Sequence, residues 1–222
     1  MLKTTLLFLG AVLSFYLGIS IGKIYMYNTK TSVVTKEAIA LLSDKPVFPA
    51  LVRLTYEGRT FCSGTVISDT EVLTAAHCVD GMPEEGVLAV SLPKADLTAE
   101  AVIKVTGYNI RQDTAIVTGD FRQFKKAEAA SNPEDDILVN NYDLASCGFP
   151  YRGKPVCYTL RKAHKFVDMV GFDVGQMYAG MSGGPVIDLN TGKVVAVNHA
   201  VADRRVIVAP IINLFEALDK VE

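Results

Sequence analysis

The sequence predicts an all-β fold for residues 46–222, and two observations carry this prediction. Short runs rich in β-branched residues recur along this part of the chain, and turn formers such as Glu57-Gly58 and Ser68-Asp69 separate them. The runs follow one another at regular spacing, which favours a sandwich or a barrel over βαβ units. The 177 residues that remain after the first 45 of the 222 are enough for one compact unit or two small ones.

The predicted strands lie on both sides of a polar, charged stretch, which we interpret as a connection over residues 121–136. The strands predicted before it, in a first half over residues 46–120, are residues 50–56, 64–68, 87–92, 101–105 and 114–117. Those predicted after it, in a second half over residues 137–222, are 137–139, 143–148, 156–160, 165–170, 185–188, 194–198 and 205–209. An amphipathic C-terminal helix is predicted over residues 211–220, after Pro210.

The amino-terminal segment is predicted to be a membrane anchor. Between Lys3 and Lys23 lie nineteen residues without charge, residues 4–22. As a helix they would span roughly 28 Å, close to the roughly 30 Å of a bilayer core. A cleaved signal peptide is the alternative, but its apolar core is usually about 7–15 residues long and ends in a small-residue site, which is poor here. We therefore expect an N-terminal transmembrane helix within residues 1–23, with a polar tether over residues 24–45.

The charge balance argues against nucleic acid as a partner. The chain has 22 basic and 24 acidic residues, and the basic residues form no cluster beyond short pairs. No group of cysteines and histidines has zinc spacing. We therefore expect no metal, no cofactor and no nucleic-acid partner; the oligomeric state is left open.

Three short motifs carry the functional prediction. His77 lies in Thr-Ala-Ala-His-Cys at residues 74–78, Asp113 opens Asp-Thr-Ala-Ile-Val, and Ser182 lies in Gly-Met-Ser-Gly-Gly-Pro-Val at residues 180–186. The serine motif alone would indicate only a tight turn. Together, in the order histidine, aspartate, serine, the motifs resemble those of the trypsin-like (chymotrypsin-fold) serine peptidases. The resemblance extends from about residue 46 to the C-terminus, and it implies two antiparallel six-stranded β-barrels with the active site in the cleft between them.

The chemistry of such a site explains why these residue types are needed. A serine hydroxyl is a poor nucleophile near neutral pH, so Ser182 needs a base within hydrogen-bond reach. Histidine can both accept and return a proton there, and the resemblance assigns that role to His77 rather than to His164 or His199. A carboxylate on the far nitrogen fixes the tautomer, and the resemblance assigns it to Asp113.

The carboxylate position has competing candidates, and the resemblance also assigns the oxyanion hole. Asp96 and Asp120 compete with Asp113 for the role of the catalytic carboxylate. Asp113 could itself be only a turn or cap residue, because an aspartate that opens a strand commonly is one. The oxyanion hole is assigned to the backbone N–H groups of Gly180 and Ser182, which would face the charge that develops on the substrate.

The chain departs from trypsins at Met181, where they carry an aspartate that pairs with a new amino terminus after activation cleavage. Methionine cannot form that ion pair, and no Ile-Val-Gly-Gly segment occurs near residue 46. Trypsin-style activation is therefore not expected. The motifs are more similar to the HtrA/DegP and glutamyl-endopeptidase branches, and because the sequence stops at Glu222 we expect no PDZ domain to follow.

The four cysteines allow three pairings, or four buried thiols in a reducing compartment. Cys62 and Cys78 match the disulfide that the family places beside the catalytic histidine. Cys147 and Cys157 flank a predicted hairpin turn, which favours a cross-strand pair. Disulfides would place the domain outside the cytosol, so we expect a single-pass membrane protein with an extracytoplasmic peptidase domain.

Specificity is predicted only in outline. Gln176 stands where trypsins place the acid at the floor of their pocket, so the usual partner for Lys or Arg is lacking. His199 lies on a strand that should line the substrate, and relatives with a histidine near there select acidic or glutamine side chains. The alternative for His199 is a surface histidine, or one whose hydrogen bonds are satisfied within the protein, with no contact to substrate.

Two function classes follow. The first is a membrane-tethered serine endopeptidase whose partners are protein or peptide substrates and, through residues 4–22, the membrane. The second is a catalytically silent binding or scaffold module with the same fold. Intact His77, Asp113 and Ser182, together with the glycines around the serine, favour the first class.

Overall fold

The structure is a computed structural model that describes residues 47–83, 86–93, 96–107, 113–130, 143–151, 153–165, 169–202 and 205–210. All of them belong to the unit Val34–Glu222. The predicted anchor, the tether, the strand at residues 137–139 and the C-terminal helix lie outside the described residues. Within the described ranges, we find no helix of the length and hydropathy that a membrane crossing requires.

Barrel one is a closed antiparallel barrel of six strands in the order β1-β2-β3-β6-β5-β4. A one-turn helix, α1 (Val47–Ala50), leads into it, and a 3-10 turn (Ala76–Cys78) follows β3. Its strands are β1 (Leu51–Tyr56), β2 (Arg59–Val66), β3 (Glu71–Thr74), β4 (Val87–Leu92), β5 (Leu97–Gly107) and β6 (Thr114–Gly119).

Barrel two is a second closed antiparallel barrel, with the strand order β10-β11-β12-β9-β8-β7. Its strands are β7 (Leu144–Gly148), β8 (Val156–Lys165), β9 (Val170–Val174), β10 (Pro185–Asp188), β11 (Val194–Ala202) and β12 (Arg205–Pro210). The predicted all-β fold with two six-stranded barrels is therefore confirmed. Closure of both sheets removes the exposed edges that an open sheet would present.

Two details of the strand prediction are wrong. The strand expected at residues 165–170 is not one element: β8 continues to Lys165, and β9 begins only at Val170. Gly171 is the second residue of β9 because Val170, Gly171 and Phe172 pair with β12, and this pairing outweighs the local preference for a turn. The prediction also lacked β3, which four residues form between β2 and β6.

The buried apolar residues form three clusters, one within each barrel and one shared between the two barrels. Each barrel has a core of its own, centred on residues such as Leu54 and Leu88 in barrel one and Leu160 and Phe172 in barrel two. A third cluster joins both barrels, and it includes Leu51, Leu73 and Ile116 from the first and Phe149, Ile187 and Val197 from the second. Burying an aliphatic or aromatic side chain of this size stabilises by about 1.5–3 kcal/mol. The shared cluster therefore fixes how the two barrels face each other across the cleft.

Both predicted disulfides are formed, and no cysteine is free. Cys62 in β2 is bonded to Cys78, which ends the 3-10 turn. Cys147 and Cys157 are directly opposed in β7 and β8. The first bond fixes the turn that carries His77, and the second closes the hairpin β7–β8.

Candidate active site

Each of the three predicted catalytic residues lies at the end of a strand or in the turn that adjoins one. His77 is in the 3-10 turn after β3, Asp113 immediately precedes β6, and Ser182 lies three residues before β10. The pairing of β3 with β6 brings the first two together, because Thr74 is opposite Ala115. Barrel one thus supplies the imidazole and the carboxylate, and barrel two supplies the serine.

Asp113 is bonded twice to His77. Its Oδ1 accepts the backbone N–H of His77 at 2.8 Å, and its Oδ2 lies 2.7 Å from His77 Nδ1. The Asp113 side chain is 7% exposed, whereas that of His77 is 41% exposed. Asp113 has a φ of +41°, a left-handed conformation that short polar residues such as aspartate tolerate better than most. The carboxylate is therefore buried behind an imidazole whose far edge faces the cleft.

The two competing aspartates lie elsewhere. Asp120 forms a surface ion pair with Arg122, and Asp96 occupies a turn between β4 and β5 with a φ of +53°. Of the three aspartates, it is Asp113 that the described contacts join to His77, as predicted.

His199 is a further hydrogen-bond partner of the Asp113 carboxylate, and the sequence did not indicate this contact. It lies in β11 of barrel two, and its Nδ1 forms a short hydrogen bond with Asp113 Oδ2. Its ring meets that of His77 edge to face, with 5.5 Å between centroids. Burial would raise the pKa of Asp113, but the hydrogen bonds from His199 and from the side chain and backbone of His77 outweigh it and hold that pKa well below its usual range. Asp113 is therefore ionised at neutral pH.

The described hydrogen bonds do not join the Ser182 hydroxyl to the His77 imidazole. Ser182 Oγ donates to the main-chain oxygen of His199 at 3.4 Å, and no described hydrogen bond links it to His77. His77 Nε2 lies 3.9 Å from Cys78 Sγ. In peptidases without substrate such bonds are often long and shorten only in the complex, so this geometry is compatible with catalysis.

The turn at residues 179–184, called the oxyanion turn below, has the backbone shape that the predicted hole requires. Gly180 has a φ of +97° and Gly183 a φ of +76°, values that favour glycine. A Cβ at Gly183 would lie 2.1 Å from Thr74 Oγ1, so glycine also allows this turn to approach barrel one. The backbone N–H groups of Gly180 and Ser182 have no main-chain partner among the described hydrogen bonds. No described main-chain hydrogen bond therefore engages either of the two predicted oxyanion donors.

Met181 is completely buried within this turn. Its Sδ accepts the backbone N–H of Tyr178 at 3.4 Å. It packs directly on β7, because a Cβ at Gly148 would approach the Met181 Cα to 2.7 Å. An apolar contact thus occupies the position where trypsins bury an ion pair.

The predicted pocket residues are placed as follows. Tyr178 Oη donates to Gln176 Oε1 at 3.0 Å, and the rings of Tyr178 and Tyr158 lie 5.9 Å apart. Burial, followed by a hydrogen bond with Tyr178, raises the pKa of Tyr158 to about 12, so the Tyr158 phenol stays neutral at physiological pH. His199 directs its imidazole to Asp113. The specificity roles of Gln176 and His199 stay predictions.

Among the described residues, one group of three side chains at this site is spaced closely enough to be compared with a metal site. His77, Asp113 and His199 place one possible ligand atom each within 4.8 Å of one another. Hydrogen bonds to the carboxylate account for this proximity. Cys62 and Cys78, which also lie near His77, are joined in a disulfide and do not offer thiolates.

Two buried polar residues near the oxyanion turn were missed at the sequence level. Ser63 in β2 donates its hydroxyl to Gly180 O at 2.7 Å, and its backbone N–H donates to Ser182 O at 2.8 Å. Asn198 in β11 contacts the same turn from the other side. The available signal was a single polar residue at the end of the apolar run Val-Val-Ala-Val-Asn, which we interpreted only as a strand end.

Comparison with protein families gives the assignment. The model of the trypsin-like peptidase domain matches residues 62–197, which is more than half of the 222 residues and includes His77, Asp113 and Ser182. The chain belongs to the trypsin-like peptidase family. This trypsin-like peptidase is thereby a serine endopeptidase by class. Asn198 and His199 lie just beyond the matched span.

Several solved structures have a similar fold. A crystal structure of the Rv3671c protease in an inactive form has a TM-score of 0.63 and 22% identity, and the match covers 87% of this chain and 98% of that one. A serine-to-alanine mutant of Rv3671c from M. tuberculosis H37Rv, also an inactive form, has a TM-score of 0.63 and 21% identity, with 87% and 95% covered. The serine endoprotease from Yersinia pestis has a TM-score of 0.63 and 16% identity, with 87% and 67% covered. At these identities the likeness concerns the fold.

Proposed function

We propose that this trypsin-like peptidase hydrolyses peptide bonds through His77, Asp113 and Ser182. The observation that carries the proposal is the pair of hydrogen bonds from His77 to the buried Asp113, beside a serine whose turn leaves two N–H donors open. Ionised Asp113 holds the His77 proton on Nδ1 and so leaves Nε2 free to act as a base.

In the proposed reaction, Ser182 Oγ attacks the scissile carbonyl carbon while its proton passes to His77 Nε2. The negative charge that forms on the carbonyl oxygen is held by the N–H groups of Gly180 and Ser182. His77 then gives the proton to the leaving amine, and water repeats the sequence to release the acyl group. Before attack, Ser182 Oγ must leave His199 O and turn toward His77.

The alternative, a silent binding module, is favoured by one observation, namely that Ser182 Oγ is bonded to His199 O and not to His77. A fluorophosphonate probe separates the two functions, because it labels only a serine that its base activates. We expect stoichiometric labelling of the wild-type chain and none of Ser182→Ala, with Ser68→Ala as the control for a serine outside the site. A folded wild-type chain that resists the probe and hydrolyses no peptide of a diverse library would establish the silent module.

We also propose that residues 4–22 anchor the enzyme in a membrane and that the peptidase domain lies outside the cytosol. The uncharged run supports the anchor, and the paired cysteines support an oxidising compartment. Mass mapping of protein alkylated in its native compartment should find Cys62 linked to Cys78 and Cys147 linked to Cys157. Four alkylated thiols would place the domain in the cytosol, and recovery of the protein without residues 4–22 would identify a cleaved signal.

Activity should not require cleavage at the amino terminus. Met181 offers no carboxylate to a freed α-ammonium group, and it is already buried. A version of the chain that begins near Lys36, with a tag residue ahead of it, should therefore hydrolyse peptides as purified. A version that stays inert until a protease trims it near residues 47–50 would reveal an activation step and contradict this expectation.

A further inference from the structure

The direction of the Ser182 N–H group is fixed by the peptide bond to which it belongs. That bond joins Met181 to Ser182, and in a trans peptide the C=O and the N–H point in opposite directions. There is no cis peptide bond among the described residues. Whatever holds Met181 O in place therefore also fixes the direction of the Ser182 N–H, which points away from that oxygen. The same argument applies to Gly180, whose N–H lies opposite Ala179 O, and that oxygen accepts the backbone N–H of Tyr151 at 3.0 Å.

Met181 O is held by the side chain of Asn198. The Asn198 Nδ2 donates to Met181 O at 3.1 Å and to Cys147 O at 2.8 Å. The backbone N–H of Gly184 also donates to Met181 O, at 3.0 Å. Both N–H bonds of the amide are thereby used, one to the oxyanion turn and one to β7 beneath it.

The main chain of Asn198 contacts the oxyanion turn on the same side. Its oxygen accepts the N–H of Gly183 at 2.8 Å, and its N–H donates to Gly184 O at 2.8 Å. The amide oxygen accepts the hydroxyl of Ser146 at 2.7 Å, which determines which end of the amide faces Met181 O. Asn198 and Ser146 are fully buried, and each polar group of Asn198 has a partner. A satisfied buried network of this kind rigidifies the segment that it contacts.

We propose that Asn198 is the positioning residue that aims the Ser182 N–H into the oxyanion hole, in a chain whose Met181 rules out an ion pair with the amino terminus. This proposal rests on the proposed peptidase function and concerns how its oxyanion hole is kept formed. Asn198 does not touch the substrate; it acts through Met181 O.

The sharpest test is Asn198→Asp, which keeps the size and the main-chain contacts but turns two donors into an acceptor that faces two carbonyl oxygens. The expected result is a fall in kcat of about 10² to 10³, the usual loss for one oxyanion donor, with KM within about threefold of the wild type. Affinity for a peptide aldehyde should fall with kcat, because its hemiacetal with Ser182 places an oxygen in the hole. All rates are expressed per active site after exhaustive fluorophosphonate titration, so that a partly folded sample does not imitate the effect.

Ser146→Ala is the second variant, used alongside the first and decisive if the buried carboxyl prevents folding. It removes one of the three hydrogen bonds that orient the amide, and kcat should fall about fivefold to tenfold, the value of one neutral hydrogen bond. The matched control is Thr65→Val in barrel one, where a buried hydroxyl has no hydrogen-bond partner among the described residues. Its kcat should stay within about twofold of the wild type.

The outcomes separate this inference from the function on which it rests. A wild-type chain without peptidase activity contradicts the proposed function. An active wild type whose Asn198→Asp variant folds and keeps its kcat per titrated site overturns the role of Asn198. If that variant does not fold, an unchanged kcat in Ser146→Ala overturns it instead. A fall in thermal stability with unchanged kcat in either variant shows a structural residue and also overturns the proposal.

Discussion

Replacing Ser182 with alanine will lower kcat for peptide hydrolysis by about 10⁶, and adding His77→Ala to that variant will lower it little further. The reason is that the hydroxyl and the imidazole act in one step: without Oγ there is no nucleophile, and the base then has no proton to remove. Each single substitution therefore removes nearly all of the covalent route. Steady-state rates of the two single variants and of the double variant on one fluorogenic peptide measure this directly.

The controls for this prediction are a serine and a histidine outside the site. Ser68 bonds to Glu71 and Thr70 near the surface, and His164 pairs with Asp173 on barrel two. Ser68→Ala and His164→Ala should keep kcat within about twofold, because exposed pairs contribute little to stability. A double variant far slower than either single variant would show that Ser182 and His77 act independently, and the proposed triad would be wrong.

The barrels could be predicted because most of their strands can be recognised from their own residues, without knowledge of the strands with which they pair. Residues 87–92 and 185–188 were predicted with the bounds that the structure gives to β4 and β10, since each is a compact apolar run between turns. This reasoning failed for β9, which was predicted at residues 165–170 but lies at Val170–Val174. Gly171 and Asp173 are poor strand residues in isolation, and pairing with the two neighbouring strands β8 and β12 makes the segment extended.

In the candidate site as well, residues in local motifs could be predicted and contacts between distant residues could not. His77, Asp113 and Ser182 could be predicted because each lies in a short motif, and Asp113 was separated from Asp120 by its neighbours in sequence. The contact of His199 with Asp113 could not, since it joins residues 86 positions apart in different barrels. Ser63 and Asn198 were missed for the same reason. Their partners are backbone groups of a distant turn, and because every residue has such groups, the sequence does not show which of them a side chain will contact.

Replacing Asp113 with asparagine will lower kcat by about 10⁴ while the fold is retained. The Asp113 carboxylate accepts three N–H groups: the backbone N–H of His77 on Oδ1, and Nδ1–H of both His77 and His199 on Oδ2. An amide has only one acceptor oxygen. If that oxygen stays on the His77 backbone, the new NH₂ group faces both imidazoles and drives their protons to Nε2. His77 then presents a proton to Ser182 where it should present a lone pair, and it cannot act as the base.

The reversed amide orientation does not restore activity without a cost. Its oxygen would face the imidazoles, but its NH₂ group would face the backbone N–H of His77, leaving a buried donor unpaired at about 1–3 kcal/mol. Asp120→Asn is the matched control, because Asp120 pairs with Arg122 on the surface and should leave kcat within about twofold. The measurement is kcat for both variants on one peptide, with circular dichroism to show that each is folded. A loss below tenfold in Asp113→Asn would mean that the carboxylate does not set the His77 tautomer, and the assignment of Asp113 would then fail.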